Sequence, residues 1–156
     1  MDYEINKDTL AIIPKSEEKC KVLENDIEYD ISLSTLNVIE HSCEYFGSTY
    51  EGRYIGTKNI SGITHKSPII IEDTNKIIFF PTTSPNRPDC IWISLNNILT
   101  YEKGKEKGTS KIRFKNGNVI ELNISIGSLN NQIMRSSRLK YLLEERQEKF
   151  RKKESI

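Results

Sequence analysis

The chain has 156 residues, 36% of them hydrophobic and 29% charged. That length accommodates one ordinary hydrophobic core and leaves two independent domains cramped, and no apolar run nears the ~18–20 residues of a membrane helix. The net charge of +1 conceals a gradient, from eleven acids and four bases in residues 1–50, through five and six in 51–104, to six and thirteen in 105–156. Either the later parts face a polyanion while the first third faces something else, or the two ends neutralise each other within the fold or across a dimer.

The opening MDYEINKDTL is acidic and lacks the basic and apolar regions of a signal peptide, so a cytoplasmic protein is expected. Residues 3–14 read as a strand ended by Pro14. From Lys21 to Ile31 a hairpin is expected about a turn at Asn25-Asp26, with Ile27, Tyr29 and Ile31 alternating. Ser34 can cap a helix to about Phe46, whose Leu36, Ile39, Cys43 and Phe46 share a face before Gly47 stops it.

Tyr45 to Lys66 then reads as a ligand-binding loop. It holds glycines at 47, 52, 56 and 62 among Arg53, Lys58, His65 and Lys66, and little of it has the period of a buried helix or strand. Ile69–Ile71 and Ile77–Phe80 form the clearest hairpin, about Asp73–Lys76, and TTSPNRPDC at 82–90 is a loop. Cys90–Ser94 is a strand, Ile98–Tyr101 an extension, KGKEKG a turn, and Asn116-Gly117 the centre of a last hairpin joining Ile112 and Phe114 to Val119 and Glu121. Ser128 caps a final helix over about 129–150, with Leu129, Ile133, Leu139, Leu142 and Leu143 inward and Gln132, Arg135, Arg138 and Lys140 as polar surface. The expected fold is a single α+β domain over 1–150, mostly antiparallel sheet with two helices, followed by a flexible basic tail at 151–156. A sheet followed by a terminal helix also has the outline of a pleckstrin-homology-like barrel.

The residues form no catalytic constellation. Gly52 and Gly56 precede no G-K-[ST], and His65 has no nucleophile-elbow partner. Cys20, Cys43 and Cys90 are odd in number and widely spaced, which fits buried free thiols, and His41 and Cys43 do not face one another on a helix; neither metal nor cofactor is expected. Nucleic acid fits better. A thin loop can enter a minor groove, and Arg53 would favour the narrow groove of A-rich tracts, its alternative being a turn residue paired with Glu51. Lys58 and Lys66 suit phosphates, and Thr57 beside Lys58 is placed in the DNA-binding set. His65 either donates to phosphate or ties the loop to the body, and Arg87 could reach a second phosphate. Arg135 and Arg138 share a helix face that lines either DNA or solvent. Tyr45, Tyr50, Tyr54 and Trp92 could stack on bases, although packing is the plainer role for Trp92.

The blocks YEINKDTLAI (3–12), KVLE (21–24), SCEYFGSTYEGRYIGTK (42–58), GITHKSPI (62–69), FFPTTSP (79–85), CIWISLNNI (90–98) and NNQIMRSSRLKYLL (130–143) cover nearly the whole chain in order. In them the chain closely resembles the ComK family of competence transcription factors of low-GC Gram-positive bacteria, of the staphylococcal type. The resemblance implies an activator of genes for DNA uptake and recombination that reads paired A-rich and T-rich boxes of double-stranded DNA, largely through the minor groove. It implies a dimer that pairs into a tetramer on DNA, contact with RNA polymerase, nucleoid association and, as for the Bacillus member, control by an adaptor to a Clp protease. The Bacillus member has a longer C-terminal tail, so what that tail does is not carried over. The competing reading is an interaction module for an anionic protein or lipid surface.

Overall fold

The computed structural model describes residues 2–154. Strand β1 (Thr9–Ser16) follows an Asn6-centred turn in which the Asn6 side chain accepts the Asp8 N–H at 2.8 Å. The strand therefore starts later than expected and runs through Pro14, which lies opposite Cys20 just before a register shift that tolerates its missing N–H. It pairs with β2 (Lys19–Glu24), and β2 pairs with β3 (Glu28–Ile31) in the hairpin that the alternation predicted. Helix α1 (Thr35–Tyr45) is capped by Ser34, whose Oγ accepts the Asn37 N–H at 3.1 Å, and ends before Gly47 at φ +86°.

The expected glycine-rich loop is largely helix, α2 (Tyr50–Ser61). Thr49 caps it by accepting the Gly52 N–H at 2.9 Å, and Glu51 and Lys58 complement the helix dipole at the two ends. Gly62, at φ +80°, closes it by donating to the Lys58 carbonyl at 2.8 Å. Tyr50, Tyr54 and Thr57, at four- and three-residue spacing, turn toward the core, and packing of that stripe offsets the roughly 0.5–1 kcal/mol that each interior glycine costs.

Strands β4 (Ile69–Glu72), β5 (Ile77–Pro81) and β6 (Trp92–Ser94) complete an antiparallel sheet in the order β3-β2-β1-β6-β5-β4. After a 3-10 turn, β7 (Ile98–Lys103), β8 (Ser110–Phe114) and β9 (Val119–Leu122) make a second, three-stranded sheet. In the Asn-Gly connection only Gly117 takes positive φ, so the four-residue link closes through one left-handed glycine. The strands thus form two open sheets, and the barrel outline is replaced by layers.

Both faces of the large sheet are covered. Ile12, Val22, Ile69, Phe79 and Trp92 meet α1 and α2 on one side, where Trp92 packs edge-on to Tyr50 with ring centres 6.4 Å apart. Leu10, Ala11, Phe80 and Ile93 face Ile112, Phe114 and Leu122 of the small sheet on the other. Adjacent Trp92 and Ile93 enter opposite layers, as strand alternation requires. Helix α3 (Ile126–Glu154) shares the second side, with Leu139 and Leu143 against Ile70 and Ile78. It starts earlier than expected because Ser125, in place of Ser128, accepts the Ser128 N–H at 3.1 Å. Its helical turns run past 150, so residues 151–154 of the expected tail are helix, while 155–156 lie outside the described residues.

Candidate nucleic-acid interface

The buried stripe of α3 runs Leu129, Gln132, Ser136, Leu139, Leu143, so two polar residues occupy core positions. Gln132, read from the sequence as surface, is only 1% exposed. Its Nε2 donates to the Lys66 carbonyl at 2.9 Å and the Pro81 carbonyl at 2.7 Å, and its Oε1 accepts from Arg135 Nη1. Arg135 Nη2 donates to the His65 carbonyl at 2.5 Å. Two side chains one helical turn apart thus grip consecutive carbonyls of the connection between α2 and β4.

The other side of that connection is tied to α2. Tyr54 OH donates to the Thr64 carbonyl at 2.9 Å, and Thr57 Oγ1 to the Pro68 carbonyl at 3.0 Å. Arg146 holds the end of α2 against α3 through Asn59 Oδ1 at 2.8 Å and the Asn59 carbonyl at 3.2 Å. Residues 62–68 therefore form a short turn fastened on both sides, with the side chains of Thr64, His65 and Lys66 exposed at its tip. Lys66 is held at φ +46°, a strained conformation for a residue with a Cβ, which makes the fastening informative.

The predicted residues divide accordingly. Lys58 near the end of α2, His65 and Lys66 on the turn, and Arg138 one turn beyond Arg135 are exposed, and none forms an ion pair among the described residues. Arg135 is half-buried, and burial lowers the pKa of its guanidinium. Thr57 is completely buried and leaves the set of surface candidates. Arg53 follows Thr49 by one turn on α2 and is half-buried, with its Nε enclosed and unpaired. Five residues from Lys58, it sits about 140° away around the helix. It lies toward Cys43 of α1, where burial pushes the thiol up to about 11 and the Arg53 charge partly opposes that shift. Arg87 stands apart, on the 82–91 loop beside the start of α1, in a two-pronged pair with Asp89 at 2.9 and 3.1 Å; that pairing raises the Arg87 pKa and lowers that of Asp89.

The remaining candidates resolve simply. Cys20, Cys43 and Cys90 are buried free thiols, and His41 faces Glu4 at 3.6 Å instead of joining Cys43. Tyr50 packs on Trp92 and Tyr54 anchors the turn, while Tyr45 stays exposed. Two things escaped the sequence reading, helix α2 and the role of Gln132. Both left a trace: the Thr49 cap, the Tyr50-Tyr54-Thr57 stripe and the Gly62 stop for the first, and a lone amide in an apolar stripe for the second. Among the described residues no helix is long and apolar enough to cross a membrane.

Comparison with known proteins identifies the family. Residues 1–148 match the family model described as ComK protein. The competence transcription factor of Bacillus subtilis (strain 168) is 35% identical over 147 residues, which cover 92% of this chain and 76% of that protein. No solved structure matches. The chain belongs to the ComK family, whose Bacillus subtilis member is a competence transcription factor.

Proposed function

We propose that this protein is a DNA-binding transcriptional activator of competence genes and that the fastened 62–68 turn is its reading edge. The observation that carries the proposal is a turn pinned from two helices, with exposed His65 and Lys66 at its tip and exposed Lys58 and Arg138 on the helices that pin it. A B-form minor groove is about 6 Å wide, whereas a helix with its side chains spans about 10–12 Å, so α2 does not fit and the turn does. His65 and Lys66 enter or border the groove of an A/T-rich box, and Lys58 and Arg138 meet the flanking phosphates. Family membership supports the wider reading: paired boxes bound by dimers that join as a tetramer, action at the nucleoid, and an adaptor-linked Clp protease setting the level. The acidic first third, which DNA would repel, turns to RNA polymerase or a second subunit.

The test is duplex binding across a salt series, with a paired A/T-box DNA against a G/C-rich duplex of equal length. Wild type is expected to prefer the A/T duplex at least tenfold, about 1.4 kcal/mol. Lys66→Ala and Arg138→Ala should each weaken binding and lower the salt slope by about one. Lys107→Ala, on the exposed turn of the small sheet, should do neither. If Arg53→Ala alone abolishes the preference, the reader is the α1 side of α2. If no duplex is preferred and only salt matters, the basic surface serves another anionic partner.

A further inference from the structure

We infer that Gln132 and Arg135 are positioning residues that preorganise the DNA-reading turn, acting through the backbone of His65 and Lys66 without touching DNA. The inference rests on the proposed function and names a device within that same site. Every hydrogen-bonding group of the Gln132 amide is committed: both Nε2 protons go to carbonyls, at 2.9 and 2.7 Å, and Oε1 takes a guanidinium N–H of Arg135. A buried amide this fully matched is costly to disturb, because each lost partner leaves a desolvated carbonyl.

Its three partners come from three different elements. Pro81 ends β5, which is paired on both sides within the large sheet, Lys66 sits on the turn, and Arg135 follows on α3, so one side chain fixes the turn to the sheet. Arg135 extends the grip by one residue to His65. The gripped residues are the two whose side chains form the exposed tip, and one of them is held in the left-handed region. Released, Lys66 would relax toward negative φ and its side chain would swing away from its bound direction. Only the fraction of molecules with the turn in place would then be competent to bind, and the apparent Kd would rise in proportion.

Arg135 separates this idea from direct contact. A guanidinium whose partner was DNA phosphate could be replaced by lysine without loosening the turn in the free protein, so amide exchange there would stay as in wild type. A guanidinium that forks between the Gln132 oxygen and the His65 carbonyl cannot be replaced by lysine, whose ammonium offers no planar fork. The experiment compares Gln132→Leu, Arg135→Lys, Lys66→Ala and wild type on the A/T-box duplex across a salt series, with amide hydrogen exchange of each free protein. Expected for Gln132→Leu and Arg135→Lys are an affinity loss of about tenfold, a salt slope parallel to wild type, and faster exchange confined to the turn and its neighbours. Faster exchange in the turn with unchanged affinity overturns the inference, and so does Arg135→Lys binding as wild type. If Gln132→Leu does not fold, Arg135→Lys carries the decision. If Lys66→Ala also binds as wild type, the interface itself is elsewhere and the inference falls with it; if Lys66→Ala weakens binding while the other two do not, only the positioning role is refuted.

Discussion

Replacing Thr57 by valine separates a buried structural hydroxyl from a DNA contact. Thr57 lies beside Lys58 in a segment whose sequence points to DNA, yet its side chain is completely buried and its Oγ1 donates to the Pro68 carbonyl at 3.0 Å. Valine keeps nearly the same shape and removes one donor, so no cavity opens and the cost is that of leaving the Pro68 carbonyl short of a partner, about 1–3 kcal/mol. For a domain of this size each kcal/mol moves Tm by roughly 2–4 °C, which places the expected drop at about 4–8 °C for a cost near 2 kcal/mol. Thermal and urea unfolding should show the loss. Duplex binding, measured well below the transition, should stay within about twofold of wild type because the hydroxyl never reaches the surface. Unchanged stability together with a tenfold loss of DNA affinity would refute the reasoning, since it would mean that the hydroxyl turns outward when DNA is bound.

Other substitutions test the fold around the same site. At Gly56 a Cβ meets nothing within 4 Å, so Gly56→Ala should stabilise α2 by about 0.5–1 kcal/mol without altering DNA affinity; a lower urea midpoint would contradict the helix. Gly62→Ala should do the opposite, costing about 1 kcal/mol or more, because φ +80° suits glycine and few other residues. Burial pushes the Cys20 and Cys43 thiols up to about 11, while an unfolded thiol ionises near 8.5. Their contribution to stability is thus complete below about pH 8.5 and lost as pH rises toward 11, so the urea midpoint should fall between pH 8 and 10.5. In the native protein at pH 8 a thiol reagent should react with neither until the chain is unfolded.

Much of this molecule could be read along the chain. The hairpins were legible because alternation and turn residues are local, as in Ile69–Ile71, Asp73–Lys76 and Ile77–Phe80. Helix α1 was legible because its Ser34 cap, apolar face and Gly47 stop agree. The motif blocks sufficed for the family, and Lys58, His65, Lys66 and Arg138 were singled out for their charge and donors. Helix α2 was missed because its two interior glycines weigh against helix locally, while the compensating burial comes from strands and from Trp92, 42 positions beyond Tyr50. Gln132 looked like surface because an amide is usually solvated; its burial makes sense only where the fold delivers carbonyls to it from Lys66, 66 positions away, and Pro81, 51 away.

The order β3-β2-β1-β6-β5-β4 and the second sheet were likewise invisible, since the pairing of β1 with β6 joins residues some eighty positions apart and leaves no periodic mark on either. What the sequence by itself determined is local conformation, charge and kinship, which depend on neighbours along the chain. Which cations are exposed, which arginine is tethered and which threonine is sealed were decided only in the tertiary structure, because burial and the satisfaction of polar groups are set by partners that folding brings from afar.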